Sequence, residues 1–284
     1  MQTNPSIKSL LEFATHTLDT GSARLDAEVM LAACLDKPRS HLHAWPERSV
    51  KTDQQTRFLA WLQRRAAGEP VAHLTGRREF WSLELLVTPD TLIPRPETET
   101  LVALALEKIP EETAVCIADL GTGSGAIALA IARERPHAEI LATDISARAL
   151  DIARQNARRL EIENVQFVEG PWCAALPARP LDFILSNPPY IADSDPHLEE
   201  GDVRYEPRSA LAAGPRGLDD LQLLVRCAAG HLADNGWLIV EHGYDQDSHV
   251  RQLFRESGYR AISDHADDAG INRVTMGKRD PAIS

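Results

Sequence analysis

Apolar positions recur at helical spacing through the first part of the chain. Ile7, Leu10, Leu11, Ala14 and Leu18 form one such stripe, and Phe58, Leu59, Leu62 and Ala66 another. Gly21-Ser22 and Lys37-Pro38-Arg39-Ser40 interrupt the pattern, and Gly68-Glu69-Pro70 closes it. The stretch holds no glycine-rich phosphate loop and no set of metal ligands. It predicts a small helical module that packs on the rest or recognises a partner.

From residue 71 to 94 the pattern becomes shorter. Phe80-Trp81-Ser82-Leu83-Glu84-Leu85-Leu86-Val87 is apolar and β-prone, with Pro89-Asp90 behind it as a turn signal. It predicts a hairpin joining two domains. From Glu97 onward, helical patterns over 98–109, 126–134 and 147–160 alternate with strand patterns over 114–120, 139–143, 165–169, 181–186 and 236–241. Alternating βα units predict an α/β fold, a parallel sheet with helices on both faces. The resulting division is 1–72 helical domain, 73–93 hairpin linker and 94–284 α/β domain.

Composition narrows the class. With 43% hydrophobic and 25% charged residues in 284, the chain reads as a soluble globular protein of one large domain and one small. No run approaches the ~18 apolar residues of a membrane span. Residues 1–9 lack a basic stretch followed by an apolar one, so no signal peptide is expected and a cytoplasmic location is. Cys34, Cys116, Cys173 and Cys227 are scattered without a C-x-x-C pair, so neither a zinc cluster nor a disulfide framework is expected. Cys116 reads as a small core residue. The net charge of -12 argues against a long nucleic-acid footprint and suits a basic partner.

The first chemistry lies where a strand meets a helix. Asp119-Leu120-Gly121-Thr122-Gly123-Ser124-Gly125 makes a glycine-rich turn into a helix. Such a turn lets a ligand approach the backbone. Its G-x-G-x-G spacing is shorter than the dinucleotide fingerprint. The next strand ends in Asp144, a carboxylate able to accept from two ribose hydroxyls, while Ser146 is the better helix cap. NAD and S-adenosyl-L-methionine both carry such a ribose, and the latter lacks the pyrophosphate that demands the longer glycine pattern. Asp119 reads equally as a turn former or as an acidic group at the cofactor's amino-acid end. Trp172 reads as a core residue or as a face for adenine.

The second chemistry is Asn187-Pro188-Pro189-Tyr190, directly after a strand. Consecutive prolines fix φ and remove two backbone donors, leaving the Pro188 carbonyl to accept from a ligand. The Asn187 side-chain oxygen is a second acceptor. Together they can hold both hydrogens of an NH2 group, with the Tyr190 ring against its planar carrier. An amide or aromatic amino nitrogen is a weak nucleophile because its lone pair is delocalised. Two directed hydrogen bonds align that lone pair with a methyl donor. No strong base is required before attack.

These residues resemble the class I amino-nitrogen methyltransferases, and within them the chain is similar to the HemK/PrmC family of peptide chain release factor glutamine methyltransferases. The likeness extends to Thr91-Leu92-Ile93-Pro94-Arg95-Pro96-Glu97-Thr98-Glu99, Asp195-Pro196-His197-Leu198, Gly201-Asp202-Val203-Arg204-Tyr205-Glu206-Pro207, Glu241-His242-Gly243 and Asp268-Ala269-Gly270-Ile271-Asn272-Arg273. It implies a Rossmann-like class I methyltransferase domain with a mostly parallel seven-stranded sheet, behind a small N-terminal helical domain and a β-hairpin linker. It implies methylation of the glutamine side-chain amide in the Gly-Gly-Gln motif of class I release factors, with S-adenosyl-L-methionine as donor, S-adenosyl-L-homocysteine as product and no metal. By position, Asp119, Gly121, Thr122, Gly123, Ser124, Gly125, Asp144, Trp172 and Asn187 would contact the cofactor. Asn187, Pro188, Pro189 and Tyr190 would hold the glutamine, with Asn187, Pro188 and Tyr190 carrying the chemistry. Arg95 and Glu97 would either shape the glutamine pocket or form a structural ion pair. Pro171 stands where the family usually has an acidic residue, leaving Glu169 or a backbone carbonyl to meet the adenine amino group.

Two other readings share some of these features. An adenine or guanine amino methyltransferase acting on RNA or DNA uses the same Asn-Pro-Pro-Tyr chemistry on a flipped base. The acidic balance and the 91–99 segment weigh against it. A non-catalytic nucleotide-binding module would not need residues 187–190 intact.

Overall fold

The computed structural model describes residues 4–281, so the first three positions of the 1–9 stretch and the last three of the 94–284 domain lie outside the described residues. The chain divides into two compact units, Met1–Arg77 and Arg78–Ser284.

The first unit is helical, with α1 (Ile7–Thr17), α2 (Ala23–Leu35), α3 (Arg39–Ala44), α4 (Thr52–Ala66) and α5 (Val71–Thr75). Apart from Ala66, which is exposed, the stripes of the sequence face inward: Ile7, Leu10, Leu11, Met30, Leu31, Phe58 and Leu62 share one core. Ser6 caps α1 through the Ser9 amide. A buried Arg65–Asp26 pair at 2.8 Å ties α4 to α2. Pro70 does not end the helical block. It caps α5, which buries Ala72 and Leu74 and stops at Gly76 in the left-handed region.

The second unit opens on a hairpin of β1 (Arg77–Phe80) and β2 (Leu83–Leu86). Its turn residues Trp81 and Ser82 have φ of 50° and 56°, unusual for non-glycine residues. The Trp81 amide donates to Glu99 Oε1 at 2.8 Å, which holds the turn from outside the hairpin.

A seven-stranded sheet follows: β3 (Cys116–Leu120), β4 (Glu139–Asp144), β5 (Val165–Glu169), β6 (Leu181–Ser186), β7 (Leu232–Glu241), β8 (Tyr259–Ala266) and β9 (Asn272–Arg279). The order is β5-β4-β3-β6-β7-β9-β8. The first five are parallel; β9 runs antiparallel to both β7 and β8. The mostly parallel α/β architecture is thus as expected. The antiparallel edge was absent from the strand pattern, and β7 begins four residues earlier than the pattern placed it, at residue 232 instead of 236.

Helices α6 (Glu99–Lys108), α7 (Ala126–Glu134), α8 (Ala147–Arg159), α9 (Asp219–Ala229) and α10 (Asp247–Glu256) accompany the sheet. Strand side chains alternate between two apolar layers. Ile117, Phe183 and Leu185 join Leu101, Ile127 and Ile131 in one; Ala118, Ile184 and Leu238 join Leu221, Val225 and Phe254 in the other. Cys173 and Cys227 form a disulfide in the second layer, with Cα atoms 6.0 Å apart. This single bond corrects the expectation that the scattered cysteines form no disulfide framework. The partners are 54 residues apart and meet only because α9 packs back against the turn after β5. Cys34 and Cys116 are free.

The direction of strand succession reverses at β3, with β4 on one side and β6 on the other. Ligands of open α/β sheets bind at the carboxyl ends of strands at such a point. Leu120 is in register with Thr143 and with Ser186. Gly121, Asp144 and Asn187 therefore leave the sheet side by side.

Candidate active site

The turn after β3 is stitched to β4 by the amides of Gly121 and Thr122, both donating to the Thr143 carbonyl at 2.9 and 2.8 Å. Gly121, Gly123 and Gly125 have φ of 73°, 56° and 87°. A Cβ on Gly121 would lie 3.3 Å from the Trp172 ring, and one on Gly125 3.0 Å from Leu129. Thr122 and Ser124 are buried. Asn156 of α8 holds the turn from behind, donating to the Ser124 carbonyl at 2.9 Å while pairing with both backbone groups of Leu86.

Asp119 lies fully buried beneath the turn. Its Oδ2 accepts from Thr122 Oγ1 at 2.6 Å and from the Ala128 amide at 3.1 Å. Its Oδ1 is buried with no partner among the described residues. Burial pushes the carboxyl up to about 7, against the pull of those two hydrogen bonds. Asp119 thus shapes the turn with one oxygen, while the other stays buried beneath it.

Asp144 accepts from the Gly123 amide at 2.9 Å and the Ser146 amide at 2.8 Å. The Ile145 amide also meets the carboxylate, which keeps acceptor capacity where it borders the cavity described next. Burial raises its pKa. Ser146, not Asp144, is the side-chain cap of α8, as the sequence spacing indicated. A cavity of about 470 Å³ opens here, bordered by Gly121, Gly123, Asp144, Trp172, Asn187 and Asp220. The Trp172 indole N–H donates to Asp220 Oδ1 at 3.2 Å, which fixes the ring beside Gly121. Glu169 is exposed and does not border this cavity, whereas Asp220 presents a carboxylate to it.

Asn187, Pro188, Pro189 and Tyr190 follow β6, and a second cavity of about 190 Å³ lies against them. Asn187 and Pro189 border both cavities. Asn187 Nδ2 donates to Thr98 Oγ1 at 3.0 Å, and Thr98 donates to Glu241 Oε2 at 2.6 Å. Neither Asn187 Oδ1 nor the Pro188 carbonyl accepts a hydrogen bond among the described residues. The Tyr190 hydroxyl donates to Glu241 Oε1 at 3.1 Å, and burial, then the neighbouring carboxylate, keeps the phenol neutral. The loop's far end is clamped by Gln246, whose Nε2 donates to the Tyr190 carbonyl at 2.9 Å and to the Gly217 carbonyl at 3.2 Å.

Arg95 borders the smaller cavity and forms an ion pair, made with the buried Glu206. The other Glu206 oxygen accepts from the Ile93 amide at 2.8 Å. Glu97 is exposed and borders neither cavity. Its neighbour Thr98 enters the site instead. Thr98, Glu241, Asp220 and Asn156 were missed as contributors; only Glu241, a carboxylate closing an apolar strand, carried a local signal.

Residues 9–76 match the family described as PrmC N-terminal domain, and residues 98–200 that described as methyltransferase small domain. The chain is 49% identical over 276 residues to a release factor glutamine methyltransferase of Coxiella burnetii, covering 96% of this chain and 99% of the relative. It is 50% identical over 260 residues to one of Pseudomonas aeruginosa, covering 92% and 94%. Among solved structures, a T. thermophilus 16S rRNA methyltransferase in complex with AdoMet and guanosine shares the fold at TM-score 0.53 and 18% identity. It covers 72% of this chain and 49% of that one.

Proposed function

The chain belongs to the family of release factor glutamine methyltransferases, and from that premise we propose that it methylates the glutamine side-chain amide in the Gly-Gly-Gln motif of class I peptide chain release factors, with S-adenosyl-L-methionine as the donor. The observation that carries this reading is Asn187 bordering two cavities at once, a larger one fit for the cofactor and a smaller one fit for a side-chain amide.

The larger cavity suits the cofactor group by group. Asp119 does not border it but lies buried beneath the glycine turn that does, with Oδ1 unpartnered for the cationic amino group of the methionine moiety. Asp144 has acceptor sites left for a ribose diol. Trp172 offers a flat face, and Asp220 beside it compensates for Pro171 as an acceptor for the adenine amino group. Bound there, the cofactor supplies an electrophilic methyl group on sulfur and leaves as S-adenosyl-L-homocysteine.

The chain's own residues prepare the nucleophile. Asn187 Oδ1 and the Pro188 carbonyl accept the two N–H hydrogens of the glutamine amide. Pro189 and the Tyr190 ring confine its plane. Holding both hydrogens favours pyramidal nitrogen and aims the lone pair at the methyl carbon, which is orientation and electrostatic preorganisation. With the donor bound, the nitrogen's lone pair would take the methyl group while the S–C pair stays on sulfur, and the methylated nitrogen would pass its extra proton to solvent. Arg95, held by Glu206, lines the amide cavity. Residues 1–72 serve as the docking domain for the release factor, 73–93 as the linker, and 94–284 as the catalytic domain. The enzyme works in the cytoplasm, where its substrate acts; no helix among the described residues is long and apolar enough to cross a membrane.

Methyl transfer from labelled cofactor, compared between a class I release factor and purified RNA or DNA, tests this reading against the nucleic-acid one. Transfer to the release factor is expected to dominate. Faster transfer to nucleic acid would replace the proposed substrate.

A further inference from the structure

Glu241 closes β7 as a fully buried carboxylate that no step above employs. Two hydroxyls point at it, Thr98 on Oε2 and Tyr190 on Oε1. Thr98 also lies 3.0 Å from Asn187 Nδ2. A carboxylate can only accept, and a hydroxyl has one hydrogen to give. Once Thr98 donates to Glu241, its oxygen is left to accept from Asn187. The Asn187 amide must then turn Nδ2 to Thr98, which leaves Oδ1 for the acceptor cavity.

We propose that Glu241 is a positioning residue: its carboxylate sets the direction of the hydrogen-bond chain from Asn187 through Thr98 and so keeps the Asn187 oxygen, not its NH2, turned to the nitrogen that is methylated. The inference rests on the role of Asn187 given above and adds what enforces it.

The reversed state is concrete. Protonated Glu241 can donate to Thr98, and Thr98 then gives its hydrogen to Asn187 Oδ1. The Asn187 NH2 would face the substrate NH2, donor against donor. Burial raises the Glu241 carboxyl to about 7; the hydrogen bonds from Thr98 and Tyr190, then Arg273 on β9, favour the carboxylate, and Glu97 on the turn before α6 opposes it. His242, next in the chain, is turned to the Gly243 carbonyl and Thr275 Oγ1 at 2.9 and 3.0 Å. The acid-side loss of polarity therefore falls near neutral pH.

The test follows single-turnover methyl transfer at saturating cofactor and release factor from about pH 5.5 to about 9, for wild type, Thr98→Val, Thr98→Ser and Glu241→Gln. In parallel, ¹⁵N–¹H NMR follows the Asn187 side-chain amide, assigned by its loss in Asn187→Ala. The wild-type rate is expected to climb through a limb near neutral pH and level off above it. Thr98→Val should lose on the order of tenfold or more on that plateau, with the limb gone and cofactor Kd within about threefold. Glu241→Gln, which no longer ionises, should lose the limb. Thr98→Ser, which keeps the hydroxyl, should restore both rate and limb. The Asn187 amide signals should titrate with the midpoint of the rate limb in wild type and stay constant in Thr98→Val and Glu241→Gln. Rates within about twofold of wild type with the limb in place, or an Asn187 titration unchanged in Glu241→Gln, overturn the proposal. The NMR arm needs no substrate. Inactivity of the wild type on release factor would overturn the substrate reading while the Asn187 titration still decides the polarity.

Discussion

At the scale of single residues, the acceptor chemistry reduces to where Asn187 points its oxygen. Asn187→Ala removes that acceptor while leaving the glycine turn, Asp119 and Asp144 in place. It is expected to cost on the order of 10²-fold or more in single-turnover rate, with cofactor affinity by calorimetry changed only a few-fold. A rate within a few-fold of wild type would remove Asn187 from the mechanism. The four residues 187–190 were legible because their chemistry is contiguous. Their partners were not: Thr98 and Glu241 stand 89 and 51 positions away from Asn187 and Tyr190 respectively. Only the fold joins them.

The buried acids also leave a mark on stability. Asp119 and Glu241 are raised to about 7 from 3.8 and 4.5. Between roughly pH 4 and 7 the native state holds protons that the unfolded chain has released, so stability from these groups falls as pH rises through that window. Glu241→Gln removes one such group. Its thermal melting should match wild type near pH 4 to 5 and exceed it at pH 8, by on the order of 1–3 kcal/mol. A difference that does not change with pH would show that Glu241 does not carry a raised pKa. Stability sacrificed at a functional carboxylate is a recurrent trade.

At the scale of elements, each site group hangs from the carboxyl end of a strand: Asp119 and the glycine turn from β3, Asp144 from β4, Asn187 from β6 and Glu241 from β7. The parallel core was legible because apolar five- and six-residue runs alternate with helical stripes. The antiparallel edge was not. β8 places Arg260, Asp264 and His265 among its apolar residues, and β9 carries Arg273, Lys278 and Arg279, so neither reads as a buried strand. The hairpin turn was hidden for another reason: Trp81 and Ser82 adopt positive φ without the Asn-Gly or Gly that signals it. One loop contact yields a sharp prediction. A Cβ on Gly217 would lie 2.2 Å from the Tyr190 carbonyl oxygen, and Gly217 has φ of 66°. Gly217→Ala must push the catalytic loop off its clamp at Gln246. Turnover should fall on the order of tenfold or more, with cofactor Kd within about threefold, because the cofactor turn lies on other strands. Unchanged turnover would show that the loop's position is not set there.

At the scale of the whole molecule, one unit, Met1–Arg77, holds the helical stripes, and the other, Arg78–Ser284, holds the βα alternation. The acidic balance points away from a long nucleic-acid footprint and toward a basic partner. What composition could not reveal is the Cys173–Cys227 bond, which links the Trp172 turn to α9 and depends wholly on the tertiary path. The physics of residues 187–190 fits a planar, delocalised nitrogen. Family membership narrows it to one glutamine.

That central claim is tested most directly by peptide mapping with mass spectrometry, after incubating the enzyme and S-adenosyl-L-methionine with a class I release factor. The account predicts one methyl group, on the side-chain amide of the glutamine in the Gly-Gly-Gln peptide, and none when that glutamine is replaced by alanine. Methylation at another residue, or undiminished methylation of the alanine variant, would contradict it.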